Sequence, residues 1–130
     1  MFIMAKRPKA SCPTLSLIHL LGKKWTIPIV ELLSPSNKAR TLQFNQMQQL
    51  LVNITPKNLS RSLKEMVDAN ILKKSETTTN GMLLVGYSLT EQGLVFRDFV
   101  RSSKLLGVSI YNTNPYCPNR QCNLCQAFNQ

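Results

Sequence analysis

The stretch 54–72 (ITPKNLSRSLKEMVDANIL) constrains the fold more than any other, because its start and its two faces can both be read from residue types. Thr55 is a residue type whose side-chain oxygen caps helix starts, and Pro56 falls at the first helical position, where a missing N–H costs nothing. At about 100° per residue, Leu59, Leu63, Met66 and Val67 gather on one side. Lys57, Arg61 and Lys64 point the opposite way, with Asn58 and Glu65 beside them. One face is made to pack and the other to meet water or an anion. Any surface helix carries a solvated charged face, so the neighbouring segments decide between those two readings.

Composition narrows the partner. Sixteen Lys and Arg against six Asp and Glu give a net charge of +10, which favours nucleic acid, an anionic membrane surface or an acidic protein. The 130 residues make one domain, which buries roughly two-thirds of the surface its unfolded chain exposes. No apolar run approaches the ~20 residues of a membrane span, and residues 1–4 are too short for the apolar part of a secretion signal. The expected location is therefore the cytoplasm. In that compartment the four cysteines, Cys12, Cys117, Cys122 and Cys125, read as thiols, metal ligands or redox centres rather than a disulfide framework.

In chain order, residues 1–11 carry Lys6, Arg7 and Lys9 without an apolar period and read as a basic arm. Leu15, Leu17, Ile18, Leu20 and Leu21 then occupy nearly the whole circumference of a short helix ending at Gly22, so that helix needs neighbours on several sides, one of which a second subunit can supply. Residues 25–33 continue as a second helix with Pro28 expected in its first turn, and 38–42 as a short strand. Asn45 is the expected cap of a brief helix holding Met47, Leu50 and Leu51, and the cationic helix follows at helix-turn-helix spacing. Two short runs, 72–77 and 83–89, flank an Asn80-Gly81 pair that signals a hairpin. The expected fold is mainly α with a small β-hairpin, a winged helix-turn-helix. Thr90 caps a last helix over 91–111, in which Phe96, Phe99, Val100, Leu106 and Ile110 form one stripe, either core or a dimer seam, and Gly93 and Gly107 weaken its continuity. Residues 12–111 are thus expected to form a winged helix-turn-helix domain for DNA binding and dimerisation, and 112–130 a cysteine-bearing tail.

Several motifs in this order resemble the HxlR-type winged helix-turn-helix regulators, relatives of the MarR group. They are Cys12-Pro13, Gly22-Lys23-Lys24-Trp25-Thr26, the Phe44 segment, the run 54–63 and Tyr87-Ser88-Leu89-Thr90-Glu91-Gln92-Gly93. The resemblance implies a homodimer on an inverted repeat of double-stranded DNA, recognition helices in adjacent major grooves, wings toward the minor groove or backbone, and dimerisation through the first and last helices. Pro28 and the cysteine-bearing tail depart from the family pattern.

On that reading Arg61 is the expected base reader, its fork matching guanine O6 and N7, and Asn58 suits adenine. Thr55, Lys57, Ser60, Lys64, Lys73 and Lys74 are expected at phosphates, with Asn80 at the hairpin tip. The alternative is a winged-helix adaptor for protein or RNA, which a weak salt dependence on duplex would separate. No enzyme is expected: His19, the single histidine, has no partner acid or nucleophile near it in sequence, and there is no glycine-rich phosphate loop. Trp25 reads as core, with a ligand-pocket role implied only by related regulators. Cys12 lies before Pro13 at a helix start, where N–H groups and nearby cations favour thiolate. By resemblance to redox- and electrophile-sensing members it is a candidate sensor, against the reading of an inert cysteine. In the tail, Cys117, Cys122 and Cys125 fit a zinc site with Cys12, or less well His19 or water, as fourth ligand. An iron–sulfur cluster, a tail disulfide and free thiols remain open.

Overall fold

The second helix is the one the core closes around. The computed structural model describes residues 12–35 and 38–111. They form α1 (Pro13–Leu21), α2 (Thr26–Leu33), β1 (Leu42–Gln43), α3 (Phe44–Leu50), α4 (Pro56–Asp68), β2 (Leu72–Thr79), β3 (Met82–Leu89) and α5 (Glu91–Tyr111). Every residue of α2 except Ile27 is buried, the polar Thr26 and Glu31 included. Pro28 is its third residue, inside the first turn as expected, where its missing N–H has no helical partner to lose. Trp25 precedes the helix as its cap residue and is buried in the core.

Around α2 pack Met47 and Leu51 from the α3 segment, Leu59, Leu63 and Met66 from α4, Leu72 and Leu89 from the strands, and Phe96 and Val100 from α5. The strands form an antiparallel sheet in the order β1-β3-β2, with Leu42 opposite Tyr87 and Leu72 opposite Leu89. The expected strand over 38–42 shrinks to Leu42–Gln43. Arg40 is the reason: its backbone N–H donates to the Leu33 carbonyl at 2.9 Å and its Nε to the Leu32 carbonyl at 2.9 Å. The chain there caps the end of α2 instead of pairing. The cap of α3 is likewise Gln43 rather than Asn45, with the Gln43 N–H donating to Oε1 of Gln46 at 2.8 Å. Asn45 lies inside the helix, because the preceding strand pairing ends at Gln43 and leaves that residue to start it.

α4 ends in a Schellman arrangement: Ile71 N–H reaches the Met66 carbonyl at 2.9 Å and Asn70 N–H the Val67 carbonyl at 3.0 Å, with Asn70 at φ 62°. The same junction receives the start of α5. The Thr90 hydroxyl donates to the Asn70 carbonyl at 2.6 Å and accepts from the Gly93 N–H at 2.9 Å. A Cβ on Gly93 would lie 2.1 Å from the Ile71 carbonyl oxygen, so only glycine lets α5 dock this closely. α5 runs unbroken through Gly93 and Gly107.

Its apolar stripe, however, divides. Gly93, Phe96, Val100 and Lys104 are buried, whereas Val95, Phe99, Leu106 and Ile110 are exposed on a second face. The two sets point in directions more than a right angle apart at about 100° per residue. Inside, the Lys104 ammonium lies 3.0 Å from a carboxylate oxygen of buried Glu31, with Arg101 Nε 3.9 Å from the same oxygen. Arg101 also donates to the Ser34 carbonyl at 2.9 Å and Arg97 to the Ser34 hydroxyl at 2.7 Å. These contacts lock α5 lengthwise against α2.

Candidate nucleic-acid interface

Local chemistry sets the relation of α3 to α4. Leu51 and Ile54 are buried on either side of the turn, Asn53 takes φ 68°, and the Gln48 side chain donates to the Ile54 carbonyl at 3.1 Å. The Thr55 hydroxyl accepts the Asn58 N–H at 3.1 Å, so Thr55 is the cap that its residue type announced. Burying Leu59, Leu63 and Met66 stabilises the pair by roughly 1.5–3 kcal/mol each, an upper bound set by the unfolded reference. That burial directs Thr55, Lys57, Ser60, Arg61 and Lys64 into solvent, with Asn58 half-buried beside them.

Two contacts shape this cationic face. Arg61 Nη2 donates to the Asn58 side-chain oxygen at 2.6 Å. The pair therefore presents N–H donors outward, which suits the acceptors O6 and N7 of guanine. The Asn58 oxygen thereby gives one of its two lone pairs to Arg61, so the two residues expected as separate base readers are coupled to each other. Lys23, in the turn between α1 and α2, ion-pairs with Glu65. This offsets one of the two acids flanking the cations and ties the α1–α2 turn to α4; the other, Asp68, is exposed four residues after Lys64 on the same face. Lys23 and Glu65 are 42 positions apart, so no helical period in the sequence reveals the pair.

Lys73 and Lys74 are exposed at the base of the β2–β3 hairpin, and Asn80 is exposed in its two-residue turn at φ 54°, followed by Gly81 at φ 78°. These positive φ values define the tight hairpin turn that the Asn-Gly pair predicts. The paired strands extend beyond the expected runs, from Leu72↔Leu89 to Thr79↔Met82.

A second surface lies on α1 and α5. α1 buries no residue, and Leu15, Leu17 and Ile18 are exposed, as are Val95, Phe99, Leu105, Leu106 and Ile110 of α5. Cys12 is an exposed free cysteine at the α1 N-cap, where its carbonyl accepts the Ser16 N–H at 3.0 Å. His19 is exposed in the last turn of α1. Among the described residues no three His, Cys, Asp or Glu side chains converge as metal ligands. Cys117, Cys122 and Cys125, and the basic arm, lie outside the described residues. No helix among the described residues is long and apolar enough to cross a membrane.

A helix-turn-helix followed directly by a β-hairpin defines the class: a winged helix-turn-helix. A family model for the HxlR-like helix-turn-helix matches residues 20–112, and the chain belongs to that family. It is accordingly a transcription regulator and not an enzyme. Among solved structures, the chain is similar to the reduced form of the transcriptional regulator YodB from B. subtilis, with TM-score 0.66, 24% identity and coverage of 75% of this chain and 92% of that one. The reduced form of the redox regulator HypR gives TM-score 0.63 at 23% identity, covering 78% and 95%. A possible HxlR family transcriptional factor from Thermoplasma volcanium GSS1 gives 0.59 at 28%, covering 79% and 87%. No curated protein matches the chain.

Proposed function

We propose that this regulator works in the cytoplasm as a homodimer that binds an inverted repeat of duplex DNA. The observation that carries the reading is the exposed row Lys57, Arg61 and Lys64 on a helix whose opposite side is sealed into the core, three cations against the exposed Asp68 once Glu65 is paired to Lys23. Such a helix offers cations and donors to a major groove, where phosphates hold register and base edges supply sequence. The exposed apolar residues of α1 and α5 supply the dimer contact, and a twofold dimer places two α4 helices against half-sites roughly 34 Å apart. Arg61 with Asn58 reads bases; Thr55, Lys57, Ser60, Lys64, Lys73 and Lys74 hold phosphates, and Asn80 meets the backbone. An adaptor for protein or RNA is less well supported: the rings carried by α3 and the hairpin, Phe44 and Tyr87, are half-buried against the core, so neither stands free for base stacking.

The proposal extends to thiol response. Cys12 is exposed at the start of α1, beside the apolar face, and the solved structures similar to this chain include a redox regulator and a diamide-treated YodB. Modifying Cys12 would change how α1 meets the second subunit and thereby the spacing of the two α4 helices.

The test is selection of bound duplexes from a randomised pool, followed by titration of the enriched duplex at rising salt. Enrichment of a palindromic sequence, bound by two chains with a steep fall of affinity in salt, supports the reading. No enrichment, or equal affinity for random duplex, refutes it.

A further inference from the structure

The wing differs from the cationic helix beside it in one respect. From Thr77 to Thr90 it holds no charged residue at all, so beyond Lys73 and Lys74 it has no cation to hold a phosphate. At its tip stand two alkyl side chains instead, Met82 at 65% and Leu83 at 61% exposure. Adjacent residues of a strand project to opposite faces, so the two flank the Asn80-Gly81 turn on either side of the ribbon. Thr79 lies opposite Met82 and Thr78 opposite Leu83, placing only small hydroxyl side chains next to them.

We propose that Met82 and Leu83 form an apolar wedge that enters the minor groove of duplex DNA beside each half-site; this rests on the reading of α4 as a major-groove helix. Three features of the fold support DNA as the occupant. The hairpin base is fixed to the end of α4 by the Thr90–Asn70 hydrogen bond and the close approach of Gly93 to Ile71, so the position of α4 dictates that of the tip. β2 is exposed along its whole length after Leu72, and its eight residues project roughly 23 Å at about 3.3 Å per residue. The grooves of B-DNA alternate within a turn of roughly 34 Å, so a ribbon of that reach beside a major-groove helix meets the next minor groove. Lys73 and Lys74 at the base meet the intervening phosphates, which leaves the uncharged tip facing the groove's interior. There the sugar walls are apolar, and alkyl side chains wedged between base steps are a known means of bending duplex. A wedge of this kind favours flanking steps that unstack easily, pyrimidine–purine steps above all, and so adds specificity at positions α4 does not touch.

The experiment compares the full-length protein with Met82→Thr/Leu83→Thr, which places β-branched residues that suit strand positions and removes the alkyl tips. Both are run through selection from a randomised duplex pool, titration in salt, and binding to the selected duplex carrying a fluorescent adenine analogue at the flanking step. The expected result is about a tenfold loss of affinity in the variant with an unchanged salt slope, since no cation is removed. The variant also loses the flanking-step preference and the rise in analogue fluorescence that reports unstacking, while the central half-site stays the same. Equal affinity and equal flanking preference in the two proteins overturn the wedge and leave the reading of α4 standing. Failure of the wild-type protein to enrich any duplex overturns both. If the substitutions change the sedimenting mass of the DNA-free protein, or abolish binding to anionic phospholipid vesicles, the tip serves another surface and the wedge is wrong.

Discussion

Replacing Lys104 by Met tests the device that registers α5 on α2. Glu31 is 5% exposed and Lys104 8%, and they lie 3.0 Å apart. Truncating one partner of such a pair leaves the other charged in the interior, a loss of about 3–5 kcal/mol. Arg101, already 3.9 Å from the same Glu31 oxygen, retains part of the compensation, which brings the expectation down to roughly 2–4 kcal/mol. For a domain of this size that lowers Tm by roughly 10–20 °C. Urea unfolding followed by circular dichroism, at one fixed protein concentration, measures the loss directly. The informative comparison is Glu31→Met/Lys104→Met, which removes both charges and fills the site with side chains of similar volume. It should return to within about 1 kcal/mol of the wild type, because the cost lies in the orphaned charge and not in the lost attraction. A double variant whose loss equals the sum of the two single losses would refute the reasoning, as would a Lys104→Met midpoint equal to the wild type.

Arg61→Ala should cost about 1–3 kcal/mol on the selected duplex and relax its sequence preference, while Lys73→Ala should weaken all duplexes alike and reduce the salt slope by about one, both read by fluorescence polarisation. Phe99→Glu, together with Leu106→Glu, places charge on the exposed face of α5 and should shift sedimentation to the single-chain mass while the circular dichroism spectrum is kept; an unchanged mass would remove α5 from the dimer contact. Cys12→Ser should abolish any response of duplex affinity to diamide or thiol-reactive compounds, and a response that persists excludes Cys12 as sensor. Zinc held by Cys117, Cys122 and Cys125 should appear as about one equivalent per chain in protein purified without added metal, and full titration of all four thiols in metal-free protein would exclude both the metal and a tail disulfide.

The elements legible in the sequence are those whose cause is local. Thr55-Pro56 and the spacing of Leu59, Leu63 and Met66 start and orient α4 through neighbours within a turn or two, and the structure keeps both. Asn80-Gly81 makes its turn because those two residues tolerate positive φ, whatever surrounds them. Where a competing long-range contact existed, the local signal lost. Gln43 displaced Asn45 as the α3 cap because the pairing of β1 with β3 ends there, and Arg40 turned the expected strand into a cap on α2.

The cationic row on α4 was therefore in the sequence, since hydrophobic periodicity alone decides which residues of an amphipathic helix face out. The tertiary structure decided the rest. Phe96 and Phe99 are alike in type and three positions apart, and only the placement of α2 and the α4–β2 junction buries one and exposes the other. The pairing of Lys23 with Glu65, and of Glu31 with Lys104, depends on distances between helices far apart in the chain. Side-chain burial and charge pairing are properties of the space between elements, and a one-dimensional pattern carries them only when a single element creates that space by itself.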